Sequence, residues 1–340
     1  MARIAVISTA HIHTRGYLEN IVRATDGRRL HVIWDDVAER GQRYASEFEA
    51  PFVPDLDAVV RDSDVDGFLV CAENARHAAL LKKVLPTGRP VFCEKPLTTT
   101  VREARQVAAW QRRYGTPIFC GYFLPFGREM RAAAREIAAG TLGRVTRARF
   151  RNAHHAAYGR WFDAPDLRWF HDPDLSGGGA FMDMGTHAIH LLRTLFGPVT
   201  KVWAEIRNES GEYPACDDFG VAHLRFANGL LGTVEAAWTQ TGGIGGLEVV
   251  GSAATLWNTG AGYVVGAPKK TPNTLPPADE RPSRVDRLVA VVRGQIPAAD
   301  LQADLEAVLD SVAIMEAAYR SARTGRWTPV ADMRTATGAD

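Results

Sequence analysis

Arg3-Ile4-Ala5-Val6-Ile7-Ser8-Thr9-Ala10-His11-Ile12-His13 opens the chain with a short strand pattern followed at once by a polar turn. A strand apolar at every position after its first must be covered on both faces, which places it inside a parallel sheet flanked by helices. The pattern repeats outward from that stretch. Apolar runs at 30–34, 67–71, 90–92 and 118–121 alternate with amphipathic stretches at 37–48, 75–85 and 101–114. Strands separated by helices predict a doubly wound α/β domain over residues 1–123. Ligands of such a domain bind beyond the carboxyl ends of its strands.

The pattern changes after a helical segment at 128–139, closed by Gly140. Longer strand candidates follow at 145–151, 200–207, 219–226, 230–238 and 247–250, with Asn228-Gly229 as a hairpin signal between two of them. A helix is expected over 180–195, a loop over 266–282, and two closing helices over 284–293 and 301–323. Residues 124–340 therefore predict an α+β domain with a large, mostly antiparallel sheet.

Composition narrows the function classes. A chain of 340 residues suits two domains. Forty basic against thirty-nine acidic residues leave a net charge of +1 without a basic block, so no nucleic-acid partner is expected. No stretch approaches the roughly 18 apolar residues of a membrane span, and no signal peptide is expected at the start. Cys71, Cys93, Cys120 and Cys216 lack metal-type spacing, and the first three end apolar runs, which points to buried free thiols and a cytoplasmic protein.

The turn after the first strand places Ser8, Ala10 and His13 where a dinucleotide fingerprint has glycines. Small residues at the first two still let the backbone approach a pyrophosphate, and the next helix would present its amides to the phosphates. The second strand ends in Asp35-Asp36. Asp35 there either accepts the adenosine ribose hydroxyls, favouring NAD over NADP, or caps the following helix. His11 and His13 either face the pyrophosphate or nicotinamide, or begin the helix.

Two further segments are more specific: Val91-Phe92-Cys93-Glu94-Lys95-Pro96, and Trp169-Phe170-His171-Asp172-Pro173 followed by Ser176-Gly177-Gly178-Gly179 and Asp183-Met184-Gly185-Thr186-His187. In this order the chain resembles the Gfo/Idh/MocA family of glucose–fructose and inositol dehydrogenase relatives nearly end to end. The resemblance extends to the Asn74 and His77 segment, to Gly121-Tyr122 and to Ala317-Ala318-Tyr319-Arg320. It implies a Rossmann domain holding NAD, with NADP possible, a small polyhydroxylated substrate, and a homodimer or homotetramer. It also implies that Lys95, Asp183 and His187 surround the reacting carbinol. The cofactor candidates are Ser8, Ala10, His11, His13, Asp35, Ala72, Asn74, His77, Glu94 and Lys95. The substrate candidates are Lys95, Tyr122, Trp169, Asp183, His187 and His190.

Elementary chemistry asks for the same groups. Oxidising an alcohol needs a base for the hydroxyl proton, and histidine suits with an unperturbed pKa of about 6.5. Asp183, four residues before His187, shares its helix face and is expected to orient the imidazole or hold its charged form. Lys95 is expected to stabilise negative charge on the substrate oxygen. Gly177–Gly179 are expected to let backbone approach the ligand. Three positions depart from the family: the nearly glycine-free turn, Pro125 where arginine is common, and His190 where aspartate is frequent. Asp183, His187 and His190 share the i, i+4, i+7 layout of metal ligands, with His154, His155 and His171 in the same half, but no metal is expected. Tyr158, Trp161, Phe162 and Trp169 either stack on a substrate ring or belong to the core. The expected function is an NAD-dependent dehydrogenase or reductase of sugars, cyclitols or related polyols. The alternatives are a non-catalytic dinucleotide-binding regulator and an NAD-assisted lyase or glycosidase without net redox change.

Overall fold

Two sheets share the chain, and a computed structural model describes residues 1–333 of it. Strands β1 (Ala2–Ile7), β2 (Arg28–Trp34), β3 (Gly67–Val70), β4 (Val91–Cys93) and β5 (Ile118–Cys120) form an all-parallel sheet in the order β2-β1-β3-β4-β5. Alternate residues supply its two faces. Ile4, Val6, Leu69, Phe92 and Phe119 pack with Tyr17, Leu18 and Ile21 of the helix Thr14–Arg23. Ala5, Ile7, Val70, Val91 and Cys93 pack with Leu81, Val84 and Val107 of the helices His77–Val84 and Val101–Tyr114. Each large side chain buried in this way contributes roughly 1.5–3 kcal/mol, which explains why the apolar runs carried the fold.

Both faces also take cover from the far end of the chain. Val285, Leu288 and Val289 of the helix Arg284–Val292 join the first face, and Leu305, Val308 and Val312 of the helix Ala298–Thr324 join the second. Further along that long helix, Ile314, Met315 and Ala318 leave the parallel sheet and pack on the other one. One helix thus braces both sheets.

The second sheet has nine strands: β6 (Val145–Ala153), β7 (Val199–Arg207), β8 (Phe219–Phe226), β9 (Leu231–Ala237), β10 (Gly246–Gly251), β11 (Thr255–Asn258), β12 (Tyr263–Gly266), β13 (Asn273–Thr274) and β14 (Thr328–Pro329). Their order is β13-β12-β11-β10-β6-β9-β8-β7-β14. Neighbours are antiparallel except β6 and β9, which run parallel. The hairpin at Asn228-Gly229 joins β8 to β9, with Gly229 at φ +87°. Every second residue of β8 is buried and the others are partly open, so one face packs on helices and the other does not. The loop expected over 266–282 contains β13, and β11, β12 and β14 are strands the sequence pattern does not anticipate. All four cysteines are buried and unpaired. Among the described residues no helix is long and apolar enough to cross a membrane.

Candidate active site

At the carboxyl end of β1 the chain turns through Ser8 at φ +65°, a conformation natural to glycine and costly for serine. The first glycine of a dinucleotide fingerprint serves this turn, so the geometry survives the sequence change. The Thr9 amide and hydroxyl donate to Asp35 at 2.8 and 2.6 Å, pinning the turn to the end of β2. Asp35 also accepts from Arg40 Nε at 2.9 Å and Nη2 at 2.8 Å, and Arg40 reaches on to Glu73 at 3.3 Å. Asp35 is therefore already paired, and Arg40 is a participant that sequence reasoning missed. Its one local signal was an arginine on the helix that Asp35 leads into.

His11, His13 and Glu94 gather beside this turn, with their ligand-type atoms within 4.8 Å of one another. The His13 amide donates to His11 Nδ1 at 3.2 Å, which assigns the neutral ring its proton on Nε2. That Nε2 is buried and has no hydrogen-bond partner. Burial holds His11 well below the ordinary histidine value. A metal would require the same nitrogen bare, so the ring is better suited to donate to an oxygen-rich ligand. Glu94 accepts from His13 Nδ1 at 3.2 Å, from the Tyr17 hydroxyl, and from the Lys95 amide at 2.8 Å. Burial alone would raise its carboxyl, but the hydrogen bond from His13 and the nearby Lys95 charge hold it well below the usual range. The Asn74 carboxamide oxygen is a second buried atom without a partner. An orphaned donor, an orphaned acceptor and a preserved turn fit a dinucleotide. His77 is not free for one, since its ring nitrogens face the carbonyls of Pro96 and Ala72 at 2.8 and 3.1 Å.

Lys95 leaves the end of β4 only 3% exposed, and its Nζ donates to Asp183 Oδ1 at 2.5 Å. Trp238 Nε1 donates to the other Asp183 oxygen at 3.0 Å. Burial works to raise the Asp183 carboxyl, but the adjacent Lys95 charge and hydrogen bond drop it well below its ordinary range. The single helix expected over 180–195 is divided: Asp183 lies in a π-helical turn, Phe181–Gly185, ahead of the α-helix Thr186–Phe196. Such turns are frequent at functional sites. The expected pairing of Asp183 with His187 is corrected by these contacts. A buried ammonium with no counter-charge costs several kcal/mol, so the carboxylate serves Lys95 instead.

His187 is buried, with Nδ1 unpartnered, and burial followed by the Lys95 charge holds it well below the ordinary value. Tyr122 stands edge-on to His187 at 5.6 Å and lies flat on His190 at 4.1 Å. The Tyr122 hydroxyl is 2.6 Å from Thr186 Oγ1, and His190 Nε2 is 3.6 Å from Asp304. Tyr122 thus contacts both imidazoles, and Asp183, His187 and His190 are not among the groups of converging ligand atoms in the described residues. Trp169 donates from Nε1 to the Ala10 carbonyl at 3.1 Å, tying the second half of the chain to the phosphate turn. The three glycines also differ from expectation. A Cβ on Gly179 would lie 1.8 Å from the Asp217 carbonyl oxygen, and one on Gly178 would lie 2.2 Å from the Tyr319 hydroxyl. They make room for protein rather than ligand. Asp217 accepts the Gly179 and Phe181 amides at 2.9 and 2.7 Å, fixing the start of the π turn.

A doubly wound domain with this turn, opening on a buried lysine, carboxylate and histidine, defines an NAD-binding oxidoreductase. Residues 2–122 match the model of the oxidoreductase family with an NAD-binding Rossmann fold, and residues 130–257 match the GFO/IDH/MocA C-terminal domain. The chain belongs to the Gfo/Idh/MocA family. It is similar to 1,5-anhydro-D-fructose reductase of Ensifer adhaerens, 28% identical over 75% of each chain. It is also similar to NAD(+)-dependent scyllo-inositol 2-dehydrogenase of Bacillus subtilis, 24% identical over 71% of this chain and 69% of that one. Among solved structures, the WlbA dehydrogenase from Bordetella pertussis, in complex with NADH and UDP-GlcNAcA, shares the fold. Its TM-score is 0.79 at 22% identity, over 97% of this chain and 98% of that one.

Proposed function

We propose that the protein interconverts a CH–OH and a carbonyl carbon on a sugar, cyclitol or related polyol, with NAD as redox partner. One observation carries this: the buried Lys95 ammonium is held at 2.5 Å by Asp183, one helical turn before His187, whose imidazole is buried with Nδ1 unpartnered. NAD, when bound, supplies the acceptor for the hydride. His187, held neutral, accepts the substrate hydroxyl proton at an open ring nitrogen, and Lys95 stabilises charge on that oxygen. Asp183 fixes the lysine. Ser8, Ala10, His11, His13, Asn74 and Glu94 line the dinucleotide side, residues 1–123 hold the cofactor, and residues 124–340 hold the substrate. The relatives that act on anhydrofructose and inositol support the polyol class. The half-open face of the nine-stranded sheet suits pairing into a homo-oligomer, and four free thiols suit the cytoplasm.

Oxidation of at least one member of a cyclitol and aldose panel by purified protein with NAD, followed by NADH absorbance, is the expected result. Loss of that signal in His187→Ala is expected too. Because the depressed imidazole stays neutral below the ordinary value of about 6.5, the acid limb of kcat/KM for oxidation falls below that pH. An acid limb above it, or full turnover by His187→Ala, removes His187 as the base.

Asp35→Ala exposes a second consequence of the site. Arg40 loses the carboxylate that occupies both its Nε and Nη2, and becomes available to a 2′-phosphate. The ratio of NADPH to NADH dissociation constants, measured by calorimetry, is expected to shift at least about tenfold toward NADPH, the worth of one charge-assisted contact. An unchanged ratio takes Asp35 out of the ribose site.

A further inference from the structure

The segment that leaves β6 carries four aromatic or imidazole rings within eight residues, His154, His155, Tyr158 and Trp161, before Phe162. The fold separates them sharply from their neighbours. Phe162 and Trp169 are 2% and 4% exposed, packed with Phe170, Tyr213 and Trp238 in a buried cluster. Tyr158 and Trp161 are 51% and 41% exposed.

Trp161 is nevertheless held in place. Its indole stacks on the His154 ring at 4.6 Å and 26°, and His155 meets it edge-on at 5.1 Å. The loop is shaped around it. A Cβ on Gly159 would lie 2.4 Å from the indole Nε1, so only glycine leaves space there. Arg160 takes φ +53°, unfavourable for a side-chain-bearing residue, and is tied down to Asp163 and Glu212 at 3.0 and 2.8 Å. Strain and a required glycine at a rigid, open aromatic surface are features of a binding site more than of a solvated loop.

The surface is also next to the chemistry. The amide of His154, the ring under Trp161, donates to the Ala237 carbonyl, next to Trp238, at 3.0 Å. Asn152, two residues earlier, donates to the Met184 carbonyl beside Asp183 at 2.9 Å. On the other side of the segment Phe162 contacts Trp238, whose indole holds Asp183. A sugar ring has an apolar C–H face that an indole covers well while its hydroxyls stay hydrated.

We propose that Trp161, braced by His154 and flanked by Tyr158, is a subsite for a second ring, so that the substrate is a glycoside or disaccharide whose reacting ring lies at Lys95, Asp183 and His187. This rests on the polyol function proposed above. The reacting ring sits deep in the cleft and the second ring covers the indole at its mouth.

The test uses the full chain loaded with NADH and matched ligands: glucose, galactose and mannose against their phenyl glycosides and their disaccharides cellobiose, lactose and mannobiose. Dissociation constants come from calorimetry. A two-ring ligand is expected to bind about tenfold tighter than its one-ring partner, the worth of one aromatic contact. Trp161→Ala removes that gain and leaves one-ring binding within about twofold, Trp161→Phe restores part of it, and Gly159→Ala, which displaces the indole, reproduces the loss. One-ring binding with no gain from the second ring overturns the subsite alone. Equal weakening of both ligand sets by Trp161→Ala, or a change in oligomeric mass in place of affinity, also overturns it. Binding of neither set overturns the subsite and the polyol function together.

Discussion

Replacing Lys95 with methionine is expected to lower kcat roughly a thousandfold while the dissociation constant for NADH stays within about threefold of wild type. Methionine is one heavy atom shorter but keeps the unbranched shape and most of the volume of the side chain, so packing changes little. What disappears is a positive charge 2.5 Å from Asp183 in a position that is 3% exposed. Charge acts more strongly there than in water, because little solvent screens it. The variant should carry a second signature. Lys95 is what offsets burial at the Asp183 carboxyl, so without it that carboxyl rises above its unfolded value. A carboxyl raised in the folded state stabilises at low pH and loses that contribution as pH rises through the folded value. Lys95→Met is therefore expected to lose more stability, relative to wild type, at pH near 7 than near 5. Kinetics on folded variant at both values separate the chemical role from the structural one. A kcat within tenfold of wild type would sink the electrostatic role of Lys95.

How far the molecule can be read from its sequence depends on the range of the interactions involved. The parallel sheet was legible because Ile4–Ile7 and Gly67–Val70 are apolar at every position, and continuous burial leaves a local trace. β8 and β9 were legible through alternation and the Asn228-Gly229 turn. β11 and β12 were not, since each is four residues long among glycines and polar residues, too short to set a period. Nor could the helices Arg284–Val292 and Ala298–Thr324 announce that they cover the first sheet, because their amphipathic pattern shows a buried face but not its partner.

The candidate site divides in the same way. Lys95, Asp183 and His187 stood out because they lie in compact motifs. Their partners did not: Trp238 is 55 residues from Asp183, and Asp304 is 114 residues from His190. The glycines at 177–179 had a meaning invisible without Asp217 and Tyr319. Pro125 stands where arginine is common, just past the boundary between the two domains, and so removes a cation from that junction. In the fold Arg284 stacks on Phe123 at 4.5 Å and Arg287 on Phe126 at 4.6 Å, so cations reach that junction from a distant helix.

The Lys95–Asp183 pair also sets the largest expected stability effect. Asp183→Ala leaves a buried ammonium without its counter-charge, which typically costs about 3–5 kcal/mol. Replacing both groups with apolar ones of similar volume, Lys95→Met with Asp183→Leu, removes the two desolvation penalties along with the attraction and is expected to recover most of that loss. Trp238 tempers the recovery, because its indole N–H would then lack the acceptor it has at 3.0 Å. Denaturant unfolding of wild type, Lys95→Met, Asp183→Leu and the double variant gives the coupling directly, and Asp183→Ala is measured beside them. If Asp183→Ala costs less than about 1 kcal/mol, the two charges do not meet in the native protein. In that case Lys95 would be free to swing from the cleft, and the grouping of a fixed ammonium with a neutral imidazole, on which the proposed chemistry depends, would have no structural basis.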